Sequence, residues 1–124
     1  MSQTKILLID DDEDILEIEG ALLTNMGYAI FSADSIESAL DLIKDEDPEL
    51  ILLDLVFPED TEYGLKGART LKEKHPEIPI FLVTSINREY LAGFGIANSD
   101  FDEILPKPIN VDRLVTLIAE HKLF

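Results

Sequence analysis

With 124 residues, 46% of them apolar, the chain is sized for one domain with a core of its own. Its 26 acids against 10 bases, a formal net charge of −16, exclude direct binding to nucleic acid and to anionic lipid, because both need lysine and arginine to displace counterions. The absence of cysteine removes disulfides, thiolate metal sites and thiol nucleophiles, and fits a reducing compartment.

Met1 to Lys5 carries one positive charge. The apolar run behind it, Ile6 to Ile9, is too short for a secretory leader or a membrane span, so a cytoplasmic chain is expected. That run reads as a buried strand. An acidic block follows: residues 1–43 hold ten acids and one base, and seven of those acids fall between Asp10 and Glu19. Because Ile15, Leu16 and Ile18 are interleaved with it, the block belongs to folded structure rather than to a solvated tail.

Ile15, Ile18, Leu22, Leu23 and Met26 recur at helical spacing, and Gly27 supplies the stop. Tyr28 to Phe31 is a second strand. Ser35 can cap a helix with the apolar stripe Ile36, Ala39, Leu40 and Ile43, which Pro48 interrupts. Leu50 to Leu53 is a third strand ending at Asp54, and Leu55 to Tyr63 reads as a loop. Gly64, Leu65, Ala68 and Leu71 mark a third helix ending near His75 and Pro76. Ile80 to Val83 is a fourth strand, and Asn87 to Ala97 is weakly helical. Ile104 and Leu105 form a short fifth strand. Asn110 can cap a last helix carrying Val111, Leu114, Val115 and Ile118.

Five strands apolar on both faces, alternating with helices, predict an α/β fold: a (βα)₅ doubly wound parallel sheet covered on both sides, filling one domain over residues 1–124. In such sheets sites form outside the carboxyl ends of the strands. Asp10 and Asp11 follow the first strand, Asp54 the third, Thr84 and Ser85 the fourth, and Lys107 the fifth. Three carboxylates in one pocket repel each other, so a proton or a cation is required. With oxygen ligands alone, a hard cation is expected, Mg²⁺ before Zn²⁺. A carboxylate can act as nucleophile and form an acyl phosphate, while a lysine and a hydroxyl suit the charge on a transferring phosphoryl group. The chemistry therefore points to Mg²⁺-dependent phosphoryl transfer onto an aspartate.

Four stretches carry a resemblance to a known family: Lys5 to Asp12 (KILLIDDD), Pro48 to Pro58 (PELILLDLVFP), Phe81 to Ser85 (FLVTS) and Ile104 to Pro108 (ILPKP). In order, and each at a strand end, they resemble the response regulator receiver domain of two-component signal transduction over essentially the whole chain. The resemblance implies a CheY-like, flavodoxin-like sheet with strand order 2-1-3-4-5. It implies that Asp54 accepts a phosphoryl group and that Mg²⁺ is held by Asp11 directly, by Asp10 through water, by Asp54 and by the Val56 carbonyl. Thr84 then takes the place of the switch hydroxyl and Lys107 that of the lysine paired with the phosphoryl group, with a Lys107–Pro108 bond that is often cis.

The implied partners are a histidine kinase or histidine phosphotransfer protein, and a downstream protein or an output domain. A phosphorylation-dependent homodimer belongs to the same expectation. The chain would catalyse its own phosphorylation and dephosphorylation without being a metabolic enzyme. It would serve either as a stand-alone regulator or as one part of a longer protein.

Three features depart from the family pattern. The loop after Pro58 carries two extra residues if Gly64 is the matching glycine, the segment from Gly95 to Lys107 is long, and Ile104 stands where a switch aromatic is usual, with Phe101 nearby. These motivate an alternative, a pseudo-receiver that binds partners without being phosphorylated. A dehalogenase-type phosphatase is disfavoured, since Asp54-Leu55-Val56 lacks a second acid. A calcium loop starting at Asp10 fails at Ile15, where glycine is needed, and at Ala21, where glutamate is needed. Asp10 and Asp11 are also candidates for plain helix caps, and Asp12, Glu13 and Asp14 for a solvated first turn. Apolar Val56 and Ile86, two residues after Asp54 and Thr84, predict a slow loss of the phosphoryl group.

Overall fold

A computed structural model of the chain describes residues 3–55, 61–86, 88–93 and 101–121. Strands and helices alternate: β1 (Lys5–Ile9), α1 (Glu13–Asn25), β2 (Ala29–Ala33), α2 (Ile36–Glu46), β3 (Leu50–Leu55), α3 (Thr61–Lys74), β4 (Ile80–Thr84), α4 (Arg88–Gly93), β5 (Glu103–Pro106) and α5 (Val111–Glu120). The five strands form one parallel sheet in the order β2-β1-β3-β4-β5. The expected (βα)₅ fold and its strand order are therefore observed.

Strand periodicity divides the core in two. Leu7, Ile9, Ile51, Leu53, Ile80 and Leu82 point to the layer of α2, α3 and α4, where they meet Ile36, Ala39, Ile43, Leu65, Ala68, Leu71 and Leu91. Ile6, Leu8, Leu50, Leu52, Phe81, Val83 and Leu105 point the other way, to Leu16 and Leu23 of α1 and Leu114, Leu117 and Ile118 of α5. Each fully buried Leu or Ile contributes about 1.5–3 kcal/mol, so the two layers hold the sheet from both sides. Gly67 in α3 marks a close approach: a Cβ there would lie 2.5 Å from Ile36 Cδ1 of α2.

Helix termini follow the sequence signals with one shift. Asp12, not Asp10 or Asp11, caps α1, accepting from the backbone N–H groups of Asp14 and Ile15. Ser35 caps α2 and Asn110 caps α5. Gly27, at φ 98°, ends the turn after α1, a conformation that glycine adopts without strain. Helix α3 starts at Thr61, inside the stretch read as a loop. Thr61, Glu62 and Tyr63 contain no helix breaker, and the following turn has Leu65 to anchor it.

The buried face of α1 matches the expected stripe at Leu23 and Met26 and departs from it at Leu16, Ile18 and Leu22. Leu16 and Leu23 are buried, whereas Ile18 is 69% and Leu22 42% exposed. In α5, Leu117 is buried and Val115 is exposed. Both helices carry apolar residues on more than one face, and the sheet selects which of them is covered. Among the described residues no helix is long and apolar enough to cross a membrane.

Candidate functional site

Parallel register brings the strand ends together. Ile9 of β1 pairs with Leu53 of β3, so Asp10 and Asp54 stand one residue further along on adjacent strands. Strands lie about 4.8 Å apart, and both side chains share the parity of Leu8 and Leu52, so they face the α1/α5 layer side by side. Thr84 pairs with Pro106, and Lys107 is the next residue on β5. Lys107 has the parity of Leu105 and so leans to the same side. The junction of β1 and β3 is where the strand order reverses, the place where ligands bind in open α/β sheets.

Lys107 Nζ lies 2.6 Å from Asp54 Oδ1, and the Asp54 side chain is only 5% exposed. Asp10 is 2% exposed; its Oδ1 accepts from the Asp12 N–H at 3.0 Å, and its Oδ2 has no donor. Asp54 Oδ2 likewise has no donor. Thr84 is buried, its Oγ1 accepting from the Ile86 N–H at 3.0 Å and its carbonyl from the Lys107 N–H at 2.9 Å. Strand alternation sets Thr84 with Ile80 and Leu82, toward α4. The Lys107–Pro108 bond is cis.

A third carboxylate joins Asp10 and Asp54, and it is Glu19 of α1. One oxygen from each of the three lies within 4.8 Å of the others. The pocket around them has the apolar walls Leu8, Leu16, Leu52, Val83 and Ile109. Burial in this pocket pushes the Asp54 carboxyl up from 3.8 to about 7, with Glu19 adding to the rise and Lys107 opposing it. Burial also raises Asp10 to about 7, against the pull of the Asp12 N–H, with Asp54 as the repelling neighbour. Glu19 is raised by burial too, with Asp54 and Lys107 opposing the rise.

Sequence reasoning missed Glu19. The signal was present: it stands three residues after Leu16 and four before Leu23, on the buried stripe of α1. Reading the stripe as Ile15, Ile18, Leu22, Leu23 and Met26 left out Leu16, and with it the face that Glu19 shares.

Asp11 is exposed and is not part of the carboxylate cluster. Val56, Pro58 and the rest of the expected loop up to residue 60 lie outside the described residues, as does the segment 94–100. Ile86 is half-buried. Phe101 is 3% exposed in the α2/α3/α4 layer, and Ile104 packs against the same layer. His121, expected to be structural or at the surface, meets the Phe81 ring edge-on at 5.1 Å and places Nε2 3.3 Å from Glu103 Oε1.

Two buried carboxylate oxygens without donors, in a donor set made of oxygen alone, fit a hard divalent cation such as Mg²⁺. The arrangement combines a potential nucleophile, an adjacent cation and a cluster of anionic ligands.

Comparison with known proteins gives a consistent result. A family model described as the response regulator receiver domain matches residues 6–119. The transcriptional regulatory protein CpxR of Escherichia coli K12 is 33% identical over 114 residues, which are 92% of this chain and 47% of that protein. The nitrogen assimilation regulatory protein NtrX of Azorhizobium caulinodans is 31% identical over 112 residues, 90% of this chain and 24% of that protein. The chain thus spans about a quarter of one of these relatives and about half of the other. Among solved structures, the response regulator TrrA of Thermotoga maritima, in complex with Mg²⁺ and BeF, is 27% identical with a TM-score of 0.76, covering 96% of this chain and 99% of that one. A two-component response regulator from Clostridium difficile is 28% identical with a TM-score of 0.77, covering 96% and 95%.

Proposed function

The chain belongs to the response regulator receiver domain family, and we propose that residues 1–124 form one receiver whose Asp54 takes a phosphoryl group from a phosphohistidine. The donor is a histidine kinase or a histidine phosphotransfer protein of a cytoplasmic phosphorelay. The observation that carries this reading is the 2.6 Å pair between Lys107 and a nearly buried Asp54 at the carboxyl end of the sheet. A plain structural aspartate would not need a half-buried lysine at a strand end beside a second carboxylate with a donorless oxygen.

In the transfer, an Asp54 carboxylate oxygen bonds to phosphorus while the phosphorus–nitrogen bond of the donor breaks, and the electron pair stays on the imidazole nitrogen. Lys107 opposes the burial that favours the protonated form of Asp54 and lies where it can pair with a phosphoryl oxygen afterwards. Thr84, buried at the end of β4, offers a hydroxyl that reports the new charge toward α4 and β5. Asp10, Asp11, Asp54 and the Val56 carbonyl are the residues that would hold Mg²⁺, whose role is to offset charge on the phosphoryl oxygens.

Output passes through protein contact, either to a segment of the same polypeptide or to a separate partner. The relatives' much greater length supports the first route.

Acetyl phosphate or phosphoramidate with Mg²⁺, followed by intact-mass measurement, tests the reading. One added phosphoryl group is expected on the chain and none on Asp54→Asn. A chain that gains no phosphoryl mass overturns it in favour of an interaction module without phosphorylation.

A further inference from the structure

Glu19 occupies a position that helical geometry reserves for an apolar side chain. It lies between Leu16 and Leu23 on the covered face of α1 and reaches a pocket that it shares with Asp10 and Asp54 and whose remaining walls are apolar, Leu8, Leu16, Leu52, Val83 and Ile109 among them. An anion in such a place is costly unless something positive meets it. Lys107 pairs directly with Asp54 and bears on Glu19 only through space. Asp10, 2% exposed, independently aims a donorless Oδ2 into the cluster. Three oxygens within 4.8 Å of one another match the separations of about 3 to 5 Å between ligands of one divalent ion, given metal–oxygen bonds of about 2.1–2.5 Å.

Resting on the receiver reading for the presence of a cation, we propose that Glu19 is a further carboxylate ligand of the divalent-cation site, entering from the α1 side, and that it broadens the site's selectivity from Mg²⁺ toward Ca²⁺. Mg²⁺ keeps several waters and is satisfied by one or two carboxylates. Ca²⁺ takes six to eight oxygens and profits from each added carboxylate. An acid contributed by α1 therefore tightens binding of both ions and favours the larger one more. It also leaves Lys107 free to serve the phosphoryl group alone, because the charge of Glu19 is met by the ion.

Calorimetric titration of the whole chain with MgCl₂ and with CaCl₂, without any phosphodonor, tests this. The variants are Glu19→Gln, which keeps shape and removes charge, and Glu19→Leu, which completes the apolar stripe and guards against misfolding of the first. Both are expected to lose Ca²⁺ affinity about tenfold and Mg²⁺ affinity by a smaller factor, so that the Mg²⁺/Ca²⁺ preference rises. An unchanged preference, or tighter binding of both ions, overturns the assignment and makes Glu19 a purely repulsive neighbour. Phosphorylation of the unaltered chain is scored separately: its failure would sink the receiver reading whatever the titrations give, and a Glu19 variant with unaltered selectivity would sink this inference while phosphorylation stands.

Discussion

Lys107 and Asp54 are 53 positions apart in sequence and 2.6 Å apart in space. Their meeting depends on two strand pairings, β3 with β4 and β4 with β5, each in parallel register. The pair sets the electrostatics of the site, because Lys107 opposes the burial that would otherwise keep Asp54 protonated.

Replacing Lys107 by Met removes a cation that counters the burial of Asp54 and is placed to meet the charge of an incoming phosphoryl group. The rate of phosphorylation by acetyl phosphate is expected to fall about a hundredfold, the scale seen when one preorganised donor is lost from a charge-stabilising site. Intact-mass time courses of the two proteins measure this; equal rates would show that Lys107 has no part in the transfer.

Without metal, the folded chain should lose stability as pH rises. Burial lifts Asp10 and Asp54 from 3.8 to about 7 in the folded state. Between those values the folded chain holds protons that the unfolded chain has released, so the slope of stability against pH is negative across that window. Melting temperatures in EDTA should therefore fall from pH 5 toward pH 8. Added Mg²⁺ should raise them most at the alkaline end, where the carboxylates are ionised. Asp54→Asn should flatten the slope, and a melting temperature that rises with pH in EDTA would contradict the assignment.

Glu19→Leu exchanges a half-buried anion for an apolar side chain on the covered face of α1. A gain of about 1 kcal/mol is expected in the metal-free chain, from relief of a half-buried carboxylate crowded against Asp10 and Asp54. Denaturant unfolding in EDTA measures it, and a loss of stability would mean that Glu19 has a partner that offsets its burial.

At Gly67 two effects compete. Alanine would add about 1 kcal/mol of helix propensity to α3. Its Cβ, however, would meet Ile36 Cδ1 at 2.5 Å and Cγ1 at 2.7 Å, and Ile36 is itself buried against the core. Overpacking of this kind costs about 1–3 kcal/mol, so Gly67→Ala should be destabilising overall. Combined with Ile36→Ala, it should cost less than it does alone, and a double-mutant cycle of unfolding free energies reads that coupling.

The apolar runs of the strands and the turn residues between them were enough to give five strands, five helices and a parallel sheet. Burying both faces of each strand leaves no other arrangement for such runs. Strand boundaries were underestimated by a residue or two because polar ends such as Asp54 and Thr84 still pair within the ladder. Periodicity gave the faces of α1 and α5 only in part: Leu23, Leu114 and Ile118 are buried as expected, whereas Ile18, Leu22 and Val115 are exposed. Ile15, Ile18 and Leu22 compete with Leu16 for the covered side, and a helix alone has no means of ranking two apolar faces.

By itself the sequence determined which residue types stand at the carboxyl ends of the strands: Asp10, Asp11, Asp54, Thr84 and Lys107. That follows from local pattern, since an apolar run must end where a polar group begins. The tertiary structure decided which of them touch. Register and side-chain parity set Asp10, Asp54 and Lys107 toward α1, left Asp11 in solvent, and turned α1 so that Glu19 rather than Ile18 faces the sheet. Such choices depend on how one element packs on another, and a burial energy shared between distant residues leaves no trace in the spacing of any single segment.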